Sequence, residues 1–168
     1  VLKLSEYFFT IGFDINQARV NELTMGFDRN NEHDKHEFNN PELLYTSNPS
    51  SLKECTAFIV TVPTPIDEEF KPDLTPLEEA CKIVGKNISK GDVIIFESTV
   101  YPGCTEDFCG PILEKISGKR QGIDFNLGYS PERINPGDTS NTIETITKVI
   151  SADNAEILKR VENIYDPI

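Results

Sequence analysis

Asp14 stands between an apolar run, residues 9–13 (FTIGF), and residues 16–25, where Ala18, Val20, Leu23 and Met25 recur at helical spacing. In a dinucleotide-binding fold, an acid at a strand end accepts hydrogen bonds from ribose hydroxyls. The alternative is that Asp14 merely caps the following helix. Arg19 lies five residues on, placed either to reach an adenine or a phosphate or to sit solvated on its helix. Thr64 is held between Pro63 and Pro65 after the apolar run 57–62 (AFIVTV), a stiff wall or a plain loop. Ser98 and Thr99 follow a second apolar run, 93–97 (VIIFE), and offer hydroxyls to a water or an amide. Glu132 lies in the rigid stretch Ser-Pro-Glu-Arg-Ile-Asn-Pro-Gly. A carboxylate so held acts as a base, orients a water, or pairs with Arg133. His33 and His36 lie in a polar loop and Cys104 and Cys109 have no second pair, so no metal site is expected. The chain has no Ser-His-Asp constellation, no P-loop and no Gly-x-Gly-x-x-Gly.

The elements that must position these residues alternate. Strands are expected at 9–13, 43–46, 57–62, 93–97, 125–129 and 145–150, and residues 26–42 as a surface loop. Helices are expected at 16–25, at 73–88 with Thr75 as N-cap and Pro76 first, at 103–117 with Thr105 as N-cap, and at 153–165. That alternation predicts an α/β fold, a Rossmann-like parallel sheet with helices on both faces, whose ligands bind beyond the carboxyl ends of the strands. The chain has 168 residues, 38% hydrophobic and 26% charged, enough for one domain with a real core. Sixteen basic residues against twenty-eight acidic ones leave a net charge of −12, which disfavours nucleic-acid or anionic-membrane partners. No apolar run approaches the roughly 20 residues of a bilayer span. The start shows no signal-peptide pattern, and the four cysteines form no CxxC, so a reduced cytoplasmic compartment is expected.

Four segments together go further. They are Ile11-Gly12-Phe13-Asp14-Ile15-Asn16, Val62-Pro63-Thr64-Pro65, Glu97-Ser98-Thr99-Val100-Tyr101-Pro102-Gly103, and Gly128-Tyr129-Ser130-Pro131-Glu132-Arg133-Ile134-Asn135-Pro136-Gly137-Asp138. Over essentially its whole length the chain resembles the UDP-glucose/GDP-mannose dehydrogenase family. Within it, the chain is most similar to the branch acting on UDP-N-acetylhexosamines, such as the UDP-N-acetylglucosamine 6-dehydrogenases of capsule and Vi polysaccharide synthesis. The resemblance implies NAD as cofactor and oxidation of C6 of the nucleotide sugar from alcohol to carboxylate.

It also implies roles. Asp14 matches the ribose-binding acid, and Arg19 a neighbour of the adenine. Pro63, Thr64 and Thr99 match NAD-contacting positions. Glu132, with Thr99, matches the catalytic side of the nicotinamide. Arg133 and Ile134 match positions that touch the UDP-sugar. The intact enzymes of the family are expected to be homodimers.

The chain departs from the family pattern in three ways. It lacks the first strand and the glycine-rich loop, and the family's catalytic cysteine, lysine, asparagine and aspartate fall beyond residue 168. Cys104 does not match that cysteine. Residues 1–168 are therefore expected to be a truncated N-terminal NAD-binding domain, without the central and C-terminal UDP-sugar-binding domains. Alone, it should bind NAD weakly or not at all and show no dehydrogenase turnover. The alternative is a non-catalytic association fragment or dimerising module. The missing first strand would leave two central edges unpaired, so the sheet is expected either to take a partner chain or to rearrange and close.

Overall fold

The computed structural model describes residues 1–30, 33–66, 68–132 and 146–168. The first strand, β1 (Thr10–Phe13), runs parallel to β2 (Leu43–Thr46), with Thr10 opposite Leu43 and Phe13 opposite Thr46. Helix α1 (Leu2–Ser5) precedes β1, and α2 (Gln17–Thr24) makes the crossover to β2. A second sheet holds β3 (Ala57–Val60), β4 (Asp92–Phe96), β5 (Phe125–Tyr129) and β6 (Ser151–Ala152), in that order. The ladders β3–β4 and β4–β5 are parallel and β5–β6 is antiparallel. Helices α3 (Thr75–Gly85), α4 (Gly110–Ser117) and α5 (Ala155–Tyr165) complete the chain.

The sequence Val93-Ile94-Ile95-Phe96 makes β4 the buried centre. These four side chains are at most 1% exposed. Alternation sends them to opposite faces. Ile94 and Phe96 join Leu77, Cys81 and Val84 of α3 and Leu113 of α4. Val93 and Ile95 join Ile157, Val161 and Tyr165 of α5. Helices thus cover both faces, as expected, and each fully buried Ile or Phe contributes roughly 1.5–3 kcal/mol of transfer free energy.

Several local expectations are corrected. The run at 145–150 does not carry the last strand. That strand lies at Ser151–Ala152 and is antiparallel, and Asp153 extends it with a backbone bond to Leu127. Residue 145 falls outside the described residues. Thr75 is not an N-cap but the first residue of α3, because the Asp73 carboxylate already accepts its N–H at 2.9 Å. Residues 103–117 are not one helix capped by Thr105. Cys104–Cys109 forms a π-helical turn, with Gly103 ahead of it at φ 89°, and α4 follows. Pro111 explains the break: it brings no N–H, and its ring would clash with the carbonyl four residues back. Inside 26–42, Lys35–Phe38 forms a short 3-10 turn.

No strand ladder joins β1 to β3 among the described residues, so the sheet has not rearranged to close. Ile11 and Phe13 of β1 rest against the α3–α4 core, and Leu52, from the 3-10 turn Pro49–Glu54, is buried in it. Pulling β1 onto β3 would disturb that packing for a few ladder bonds, each worth a net of only about 0.5–1.5 kcal/mol.

Candidate functional site

Each parallel strand of the second sheet ends in a short tail, and the tails are tied to one another. The Ser98 hydroxyl donates to the Val62 carbonyl at 2.6 Å, joining the tails of β4 and β3. The Ser130 amide donates to the Phe96 carbonyl at 3.0 Å, joining β5 to β4. Ser98 and Ser130 are both buried. Their neighbours Thr99 and Glu132 are exposed. The two hydroxyls at 98 and 99 therefore divide their work: Ser98 braces the edge and Thr99 faces outward.

Thr64 follows Val62 in the same row of tails. Its hydroxyl oxygen is buried and has no hydrogen-bond partner among the described residues. Pro63 beside it is exposed. Beyond them, the chain turns back on itself: Pro65 accepts from the Asp73 amide at 2.7 Å, and Ile66 bridges Pro72. An orphaned polar atom in a braced loop suits a ligand that brings its own polar group.

Asp14 stands at the matching end of β1. Its amide continues the ladder to Thr46, and its exposed carboxylate accepts from the Asn16 amide at 2.7 Å. Asn16, not Asp14, caps α2: its side-chain oxygen accepts from Ala18 and Arg19 amides at 3.0 and 3.2 Å. Arg19 is neither solvated nor reaching outward. Its guanidinium pairs with Asp28 at 2.8 Å and with Glu22 at 3.5 Å. Arg29 grips the same Glu22 with two bonds of 2.8 and 2.5 Å, and these pairings hold the Glu22 carboxyl below the usual range.

Sequence reasoning missed one constellation. Glu97 accepts a hydrogen bond from the Tyr165 hydroxyl at 2.7 Å and pairs with Lys148 at 2.8 Å. The Lys148 ammonium also lies 5.3 Å from the Tyr165 ring centroid, a cation–π contact. Burial first, then the charge of Glu97, raises the Tyr165 phenol, and Glu132 adds to the same effect. Tyr165 had a signal: Ile157, Val161 and Tyr165 recur every four residues on the buried face of α5, and a buried phenol needs a partner. Lys148 had none.

Cys104 is fully buried, and burial pushes its thiol up to about 11, so it is no thiolate at neutral pH. His33 pairs with Glu37 at 3.1 Å, and His36 is exposed. Arg133 and Ile134 lie outside the described residues. Among the described residues, no three His, Cys, Asp or Glu side chains group as metal ligands, and no helix is long and apolar enough to cross a membrane.

Known proteins resemble this chain over nearly all of its length. Over 159 residues the chain is 52% identical to UDP-N-acetyl-D-glucosamine 6-dehydrogenase of Pseudomonas aeruginosa, covering 94% of this chain and 38% of that one. It is 51% identical over 158 residues to protein CapL of Staphylococcus aureus, covering 94% and 37%. The fold superposes on UDP-D-ManNAc dehydrogenase from Pyrococcus horikoshii with a TM-score of 0.89 at 28% identity, covering 99% of this chain and 40% of that one. The chain thus spans about two fifths of the length of these relatives. Residues 5–168 match the NAD binding domain of the UDP-glucose/GDP-mannose dehydrogenase family. With this match over nearly the whole chain and relatives 51% and 52% identical, the chain belongs to this dehydrogenase family.

Proposed function

We propose that this chain is the NAD-binding portion of a nucleotide-sugar dehydrogenase that oxidises C6 of a UDP-N-acetylhexosamine to the uronic acid, in polysaccharide biosynthesis. On this reading, residues 1–168 are one N-terminal domain, and the domains that bind most of the UDP-sugar are separate from it. The observation that carries the reading is the placement of Thr64, Thr99 and Glu132 on three consecutive tails of one sheet. NAD, when bound, takes up the hydride released from C6. Asp14 accepts hydrogen bonds from the ribose hydroxyls, and Arg19, fixed by Asp28, shapes the adenine side. Pro63 and the buried Thr64 hydroxyl form the wall beside the cofactor. Thr99 holds a water, and Glu132 orients that water or takes its proton. Arg133 and Ile134 meet the UDP-sugar. The intact enzyme works as a homodimer in the cytoplasm.

Two measurements test the reading. Calorimetric titration of the 168-residue chain should find NAD binding weaker than micromolar, since no Gly-x-Gly-x-x-Gly is present to hold the pyrophosphate. A micromolar Kd would overturn that point. For the activity, the chain replaces the matching segment of the Pseudomonas aeruginosa relative. The chimera should reduce NAD with UDP-N-acetylglucosamine, and Glu132→Gln should lower kcat by roughly 10²–10⁴. A folded, NAD-binding chimera that oxidises no UDP-sugar, or a Glu132→Gln variant at full rate, would overturn it.

A further inference from the structure

Glu97 is the first residue after β4 and the last before the tail that carries Ser98 and Thr99. Its side chain is 13% exposed, and that of its partner Lys148 is 17% exposed. An isolated carboxylate so deeply set would be costly, and here two charge-assisted hydrogen bonds hold it. The Tyr165 hydroxyl supplies one of them from the last turn of α5. The β5 tail is tied to the same strand through the Ser130 amide, which donates to the Phe96 carbonyl one residue before Glu97, so a hold on Glu97 bears on both tails. Seating α5 does not require this link, because Ile157 and Val161 already pack against Val93 and Ile95. A buried ionic link is often no more stabilising than an apolar contact of the same size, so its presence at the ligand edge asks for another reason.

We propose that Glu97, clamped by Tyr165 and Lys148, is a positioning residue. It holds the β4 and β5 tails in register, so that Thr99 and Glu132 face the nicotinamide end of the bound cofactor. This rests on the NAD reading above. The clamp joins α5 directly to the β4 tail, and through the Ser130–Phe96 bond to the β5 tail. It acts through Thr99 and Glu132, and touches no substrate itself.

The test uses the 168-residue chain and its Tyr165→Phe, Glu97→Ala and Glu97→Gln variants, with two readouts. In hydrogen exchange, the amides of residue 97 and Ser130, which donate to the Val60 and Phe96 carbonyls, should exchange about tenfold faster in Tyr165→Phe, which loses one charged hydrogen bond, and at least as fast in Glu97→Ala, which loses both. Ile94 and Ile95 should keep their protection, and Glu97→Gln, which retains the acceptor, should restore most of it in the tails. In saturation-transfer NMR with millimolar NAD, the nicotinamide-to-adenine signal ratio should fall in Tyr165→Phe and Glu97→Ala while the adenine signal persists. Tail exchange equal to wild type, acceleration spread evenly over β4 and α5, or an unchanged ratio with adenine signal present would each overturn the proposal. Should the wild-type chain alone give no NAD signal, the same ratio is read in the chimera with the Pseudomonas aeruginosa relative, where no signal would contradict the nucleotide reading and the exchange readout would decide the clamp.

Discussion

Asp92 shows how one residue can work against the stability of the fold it starts. It opens β4 with only 2% of its surface exposed, and its carboxylate accepts the Ser89 amide at 2.6 Å. Burial pushes its pKa up, more than that hydrogen bond and the fields of Arg160 and Lys119 pull it down. A carboxyl raised in the folded state binds its proton more tightly there than in the unfolded chain. Stability is therefore lost as pH rises from the ordinary Asp value, about 3.9, through the raised native one. Asp92→Asn keeps an acceptor for Ser89 without the charge. Its melting temperature relative to wild type should improve between pH 4 and pH 7, and an equal difference at both ends would show that the Asp92 charge is not the cause. Asp14 and Asn16 make the complementary point. Two side chains two residues apart could each have capped α2, and the geometry gives the cap to Asn16, which leaves Asp14 exposed at the strand end.

At the scale of elements, the α3–α4 pair depends on one missing methyl group. A Cβ on Gly85, at the end of α3, would lie 2.9 Å from Cβ of Ile116 on α4. Ile116 is β-branched and stiff at χ1, so the helices would have to part. Gly85→Ala should cost about 1–3 kcal/mol in urea denaturation, although alanine is the better helix former. A neutral or stabilised variant would mean that the two helices are loosely packed. The π-helical turn before α4 is of similar kind: Gly103, at φ 89°, lets the chain leave the Thr99 tail and enter it, and a Cβ there would lie 2.9 Å from the Asp107 carboxylate. Tail, glycine and widened turn follow one another along the chain between β4 and α4.

For the molecule as a whole, the separation between the two sheets matters most. β1 and β3 each pair on one side only among the described residues, and β3 (Ala-Phe-Ile-Val) carries no charge or proline that would discourage a new partner. Edges of this kind can pair with another copy of the chain. The charge of −12 opposes it by self-repulsion that salt screens. Sedimentation velocity over about a hundredfold range of concentration should show self-association that strengthens with added salt. A single monomeric species throughout would count against partner pairing at those edges.

The alternation of elements and the buried β4 could be read from the sequence because they depend on local patterns: unbroken apolar runs for strands covered on both faces, and spacings of three and four for helices. The same runs point to the strand ends, so Asp14, Thr64, Thr99 and Glu132 could be named before any coordinates. The division of labour between Ser98 and Thr99, the Asp28 pairing of Arg19, and the grip of Tyr165 and Lys148 on Glu97 could not be named. Each joins residues distant in sequence, or turns on which of two neighbours faces inward. Tyr165 meets Glu97 across 68 positions. No periodicity records such a meeting, because it arises only when α5 and β4 pack together and bury a carboxylate that must find its partners.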